Sequence, residues 1–122
     1  MDKPHAPACL RNRDPILAVL CQHLADCRSL LEIGSGTGQH AVYFGAALPQ
    51  LRWQTSDLPE NHHGIDSWIA AAGLPNVLPP LALDVDASWP KQSFDAVFSA
   101  NTLHIMDWQA VRSFFAGVPS VV

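Results

Sequence analysis

Apolar residues along this chain fall alternately at helical and at strand spacing, with turn residues between the two kinds of segment. Behind Asp14-Pro15, an N-cap with proline at the first helical position, Ile16, Leu17, Leu20 and Leu24 share one face and predict a helix over about 14–26. A short apolar run over 29–33 reads as a first strand. Ala41, Phe44, Gly45 and Leu48 line one face of a helix over about 38–48, closed by Pro49, and a second strand over 51–56 ends at Asp57. Pro59-Glu60-Asn61 opens a further helix, with Ile65, Trp68, Ile69 and Ala72 inward and Gly73 as its C-cap. A third strand over about 77–85 is interrupted early by Pro79-Pro80, and a fourth over about 94–99 is apolar in the manner of a buried parallel strand. Asp107 then caps a helix over about 107–116 whose inner face carries Trp108, Val111, Phe114 and Phe115. Strands alternating with helices predict an α/β fold, a doubly wound parallel sheet with right-handed crossovers.

Composition narrows the partners. Seven Lys and Arg against eleven Asp and Glu give a net charge of −4 over 122 residues, without a basic run, so the footprint of a nucleic-acid binder is missing. No apolar stretch approaches the roughly 18 residues of a membrane span, and the polar start at Asp2, Lys3 and Pro4 lacks the apolar segment of a signal peptide. A cytoplasmic protein is expected. Cys9, Cys21 and Cys27 have neither the number of a disulfide framework nor the spacing of a zinc site, and read as reduced, mostly buried thiols. The pair His62-His63 reads as a solvated helix start, and no metal is expected.

The chemistry concentrates at Leu30-Leu31-Glu32-Ile33-Gly34-Ser35-Gly36-Thr37-Gly38-Gln39-His40, a strand that enters a glycine turn and opens a helix. Glycine is needed where backbone takes positive φ or lies against a ligand. Ser35 falls between the first two glycines. The spacing is G-x-G-x-G, one residue tighter at the third glycine than the dinucleotide fingerprint G-x-G-x-x-G. Glu32, at the strand tip, disfavours a pyrophosphate and favours a ligand that carries an ammonium and a sulfonium. The pair of signals points to S-adenosylmethionine rather than NAD. Asp57 follows Gly38 by nineteen residues, near the spacing of about twenty at which an acidic residue meets ribose hydroxyls.

Glu32-Ile-Gly-Ser-Gly-Thr-Gly resembles the first motif of class I methyltransferases. Arg11-Asn12-Arg13-Asp14-Pro15-Ile16-Leu17, Gly-Thr-Gly-Gln-His40, Gly73-Leu-Pro-Asn-Val, Leu81-Ala-Leu-Asp84-Val and Phe94-Asp-Ala-Val-Phe with Asn101-x-Leu-His104-Ile resemble, more narrowly, the methyltransferase-like-26 family. The resemblance runs over nearly the whole chain. It implies a Rossmann-like sheet ordered 3-2-1-4, and methyl transfer by in-line attack of a nucleophile on the sulfonium methyl. The acceptor it implies is an unidentified small molecule or protein. By the same resemblance, Asp84 receives the adenine amino group and the Val85 backbone reads the ring edge. Asn101 sits where the superfamily faces the reactive methyl, and Arg11, Asn12 and Arg13 are placed to clamp a carboxylate. His104, beyond Asn101, reads either as a general base or as a structural histidine, because alignment supplies much of a methyl transfer. His40 reads either as a cover for the cofactor or as a half-buried helix residue.

Class I methyltransferases are usually about half as long again, so residues 1–122 are expected to form the N-terminal part of a longer domain whose later strands are missing. The fourth strand would then be an edge without proline or lysine, an expected site of homodimer formation. Two alternatives stay open, a catalytically silent cofactor-binding domain and a fragment of a nicotinamide-dependent oxidoreductase.

Overall fold

The computed structural model describes the backbone of residues 7–87, 89–100 and 107–122, with side chains from Arg13 onward. Its elements are α1 (Pro7–His23), β1 (Ser29–Glu32), α2 (Gln39–Ala47), β2 (Arg52–Asp57), a 3₁₀ turn over Pro59–Asn61, α3 (His62–Ala72), β3 (Val77–Ala82), β4 (Ala96–Phe98) and α4 (Trp108–Gly117). The four strands form one parallel sheet in the order β3-β2-β1-β4. The reversal of strand order beside β1 makes a switch point, beyond which open α/β sheets bind ligands.

Each face of the sheet has its own core. On one side Leu20, Leu30, Ala41, Phe44, Leu48, Leu51, Trp53 and Val77 pack together. The rings of Phe44, Trp53 and Phe98 lie 5.6–5.9 Å apart in tilted and edge-on contacts there. On the other, Leu31, Ile33, Leu83, Phe94, Phe114 and Val121 form a second cluster. Just before β4, the Phe94 N–H ties the chain to this cluster by donating to the Val121 carbonyl at 2.7 Å. Next to it, Asp95 fastens the start of β4 to β1, its carboxylate accepting from the N–H groups of Arg28 and Ser29 at 2.8 and 3.2 Å.

Three elements depart from the sequence reading. α1 begins at Pro7 and carries Pro15 inside it, so Asp14 does not cap the helix but accepts a hydrogen bond from the Tyr43 hydroxyl of α2. β3 keeps its prolines, as an outermost strand permits. Pro79 and Pro80 bulge where the register shifts between Gln54 and Ser56, and the Gln54 side-chain amide donates to the carbonyls of Thr55 and Pro79 at 2.9 and 2.7 Å. That amide supplies a donor where proline has none. On α4 only part of the apolar stripe turns inward: Phe114 is buried, whereas Trp108 and Phe115 are 73% and 61% exposed. Cys21 is exposed rather than buried.

The end of α2 and the turn that follows it are fastened from a distance. Asn76, just before β3, donates through its side-chain amide to the carbonyls of Gly45, Leu48 and Leu51 at 2.9, 3.3 and 3.0 Å. Asn76→Ala leaves those carbonyls half-buried without that donor. Urea denaturation is expected to show a loss of about 1–3 kcal/mol; a change below about 0.5 kcal/mol would mean that water replaces the amide.

Candidate functional site

The carboxyl ends of β1, β2 and β3 are drawn together by backbone bonds that continue past the strands. The N–H groups of Gly34 and Ser35 both donate to the Ser56 carbonyl, at 3.1 and 2.9 Å, and the Leu83 N–H donates to the Asp57 carbonyl at 3.1 Å. The glycine loop after β1 is thereby held against the end of β2, with Asp57 and Asp84 at neighbouring strand ends.

Within the loop Gly34, Gly36 and Gly38 take φ values of 75°, 61° and 93°, the left-handed region that disfavours side chains. Two of them serve different ends. A Cβ on Gly38 would come within 3.1 Å of the Ile65 Cα and 3.3 Å of the Trp68 Cβ, so this glycine lets the loop close onto α3. A Cβ on Gly36 would meet no atom within 4 Å, and the residue is exposed. The chain itself needs no small residue at Gly36 for room; open space lies over the backbone there. Ser35 is buried beneath, its hydroxyl accepting from the Ser56 N–H at 3.0 Å.

Asp57 is the hub of the site. Its Oδ2 accepts from the Gly36 N–H at 2.8 Å, and its Oδ1 accepts from the Leu58 N–H at 2.7 Å and from the Asn61 side-chain amide at 2.9 Å. The His62 ring lies with Nε2 2.9 Å from the Asp57 carbonyl. Leu58, the next residue, is 37% exposed and offers apolar surface beside this carboxylate. Asp84 makes a tight turn, its Oδ1 accepting from the Asp86 N–H at 2.9 Å. The Val85 carbonyl receives the Trp89 indole N–H at 3.0 Å. The Trp89 ring in turn lies flush against Gly117, where any Cβ would come within 2.0 Å of it, so the loop after β3 is pinned to the end of α4.

Glu32 turns inward. It is 2% exposed and its Oε1 accepts from the Trp53 indole N–H at 3.1 Å. Burial lifts its carboxyl from 4.5 to about 7; bonds from Trp53 and Ser35 oppose the rise and the Asp57 charge adds to it. At neutral pH the charge expected from sequence at this strand tip is therefore substantially quenched, and any ligand on the loop meets Glu32 through the loop rather than at its surface.

The remaining sequence candidates are placed as follows. His40 is buried on α2, its ring centroid 5.0 Å from that of Phe44. The Arg13 guanidinium stacks over the Tyr43 ring at 4.3 Å, joining α1 to α2. Asn101 and His104, together with the side chains of Arg11 and Asn12, lie outside the described residues. The structure thus gathers the glycine loop, Glu32, Asp57, Asp84 and Val85 at one sheet end. It adds Leu58, and it adds Asn61, which the sequence marked only as part of a helix start.

A family model described as "Protein of unknown function (DUF938)" matches residues 3–122. Among solved structures, the S-adenosylmethionine-dependent methyltransferase SibL in its apo form superposes with a TM-score of 0.82 at 23% identity, covering 93% of this chain and 33% of that one. An O-methyltransferase family protein from Burkholderia thailandensis gives 0.78 at 21%, with coverage of 95% and 36%. PigF, solved with SAH, gives 0.73 at 18%, with coverage of 88% and 33%. The chain spans about a third of the length of these proteins, and at such identities the likeness shows the fold: a Rossmann-like parallel sheet shared with methyltransferases.

Proposed function

Because the chain belongs to the DUF938 family, whose function its description leaves open, we propose its role from the site: it binds S-adenosylmethionine at the glycine loop and serves methyl transfer to a nucleophile. The observation that carries this reading is the open space over Gly36, at positive φ, with the Asp57 carboxylate bonded to the same residue. A cofactor that lies against bare backbone and presents a ribose to an acidic strand end fits that arrangement. Support also comes from the fold shared with proteins named as S-adenosylmethionine-dependent methyltransferases and from the ordered segments that resemble the methyltransferase-like-26 family.

When bound, S-adenosylmethionine supplies a methyl group already activated by its sulfonium. The chain's part is to hold and align. The glycine loop passes under the methionine portion, Asp57 accepts from the ribose, Leu58 offers apolar surface to the adenine ring, and Asp84 with the Val85 backbone reads its edge. Glu32 acts from beneath the loop; once ionised, it favours a cationic ligand over a pyrophosphate. His104, by its place in the sequence, is the candidate for drawing a proton from the acceptor.

Calorimetric titration with S-adenosylmethionine, S-adenosylhomocysteine and NAD tests the reading. Binding of the first two without NAD is expected. NAD binding alone would establish the nicotinamide alternative, and binding of none would remove the site.

A further inference from the structure

A carboxylate offers about four acceptor positions, two on each oxygen. On Asp57 three are occupied within the protein. Among the described residues, Oδ1 holds both the Leu58 N–H at 2.7 Å and the Asn61 amide at 2.9 Å, while Oδ2 holds the Gly36 N–H at 2.8 Å alone. A carboxylate that reads both hydroxyls of a ribose by itself needs a position on each oxygen. Here Oδ2 has one to give, and Oδ1 is filled. The Leu58 donor is backbone and belongs to the turn, so it does not yield. Of the two donors that the described residues place on Oδ1, the one that can rearrange is the Asn61 side chain, which is exposed.

Asn61 itself is held by a rigid turn. Pro59 fixes the φ of the first residue of the 3₁₀ segment, the Asn61 N–H donates to the Leu58 carbonyl at 3.0 Å, and His62 is bonded back to the Asp57 carbonyl at 2.9 Å. Its bond to Asp57 uses one amide N–H. A second N–H and the amide carbonyl make up the rest of the group, a donor and an acceptor side by side. Each hydroxyl of a vicinal diol is likewise one donor and an acceptor. The chemistry of the pair matches that of the diol: one hydroxyl donates to Asp57 Oδ2, and its neighbour donates to the Asn61 amide carbonyl and accepts from the amide.

From this accounting, and resting on the reading of the loop as a nucleoside-cofactor site, we infer that the ribose is recognised by Asp57 and Asn61 together, each taking one hydroxyl, and that Asn61 is a specificity-determining residue. The site then discriminates a ribose from a deoxyribose twice, through two separable side chains. A carboxylate acting alone would lose both preferences in a single substitution.

The test is a cycle of variants against ligands, read by calorimetry. S-adenosylhomocysteine and its 2′-deoxy and 3′-deoxy analogues are titrated into the wild-type chain, Asn61→Ala, Asn61→Ser and Asp57→Ala. The wild type is expected to bind the parent about tenfold more tightly than either analogue, the usual effect of one buried hydrogen bond. Asn61→Ala is expected to lose about tenfold for the parent and to become indifferent to one of the two hydroxyls while still preferring the other. Asn61→Ser, which keeps a short hydroxyl on the same turn, is expected to recover part of that preference, and it serves in place of the alanine variant should that one fail to melt cooperatively. Asp57→Ala loses the preference that Asn61→Ala retains. If the wild type binds the parent but the Asn61 variants keep both preferences, the carboxylate works alone and the inference is wrong. If the wild type binds none of the three ligands, the cofactor reading itself fails and takes the inference with it.

Discussion

Gly36→Ala is expected to leave a folded chain that has lost at least about tenfold in affinity for S-adenosylhomocysteine, whereas Gly38→Ala is expected to damage the fold itself. Both residues are at positive φ, where an L side chain costs about 1–2 kcal/mol. They differ in what a Cβ meets. At Gly36 it meets nothing within 4 Å, so the strain is the whole structural cost, a modest part of the 5–15 kcal/mol typical of a domain. At Gly38 it presses on the Cα of Ile65 and the Cβ of Trp68 at 3.1 and 3.3 Å, and backbone of α3 must shift. Strain plus overpacking there is expected to cost about 2–5 kcal/mol. Urea denaturation and calorimetry on the two variants separate these effects. A Gly36→Ala chain that binds S-adenosylhomocysteine like the wild type would show that no ligand lies on the loop, and a Gly38→Ala chain of undiminished stability would show that α3 yields freely.

What could be read from the sequence was whatever local chemistry decides. The glycine turn, the C-cap at Gly73 with φ 62°, the N-cap at Asp107 accepting from the Ala110 N–H at 2.8 Å, and the inward face of α2 all depend on residues within a turn or two of one another. The strand order came from the family resemblance, and the observed sheet repeats it. Features that depend on residues far apart were hidden. Pro79-Pro80 looked like an interruption because the donor that repairs it, Gln54, is twenty-five residues away and on another strand. Asn76 stood in the sequence only as part of the segment Gly73-Leu-Pro-Asn-Val, and the fold brings it to the end of α2. On α4 the periodic pattern showed a wide apolar stripe but could not say which part meets the sheet; Phe114 does, and Trp108 and Phe115 do not. Asn61 was legible as part of a helix start but not as a site residue, because an asparagine four residues after an aspartate is unremarkable until a 3₁₀ turn folds one onto the other.

Glu32 was legible as an acid at the tip of β1 but not as a buried one, and its burial has a measurable consequence. Its carboxyl titrates near 7 in the folded chain and near 4.5 when exposed. Between those values the native state holds a proton that the unfolded chain has released, so stability falls as pH rises through the window. The contribution is fully present below about 4.5 and is lost by the time the pH has passed about 7. A shift of that size is worth about 3 kcal/mol, at about 1.4 kcal/mol for each pH unit of the interval. The effect of this one carboxyl is isolated by comparison with Glu32→Gln. The glutamine stays neutral throughout, and its amide carbonyl can still accept from Trp53. Urea denaturation at pH 5 and pH 8 is expected to show the wild type losing about 2.5 kcal/mol more than the variant over that interval, with the variant the more stable of the two at pH 8. Parallel pH profiles for the two proteins would mean that Glu32 keeps an ordinary pKa. Water would then have to reach it beneath the loop, and at neutral pH the loop would carry the full negative charge that its sequence advertises.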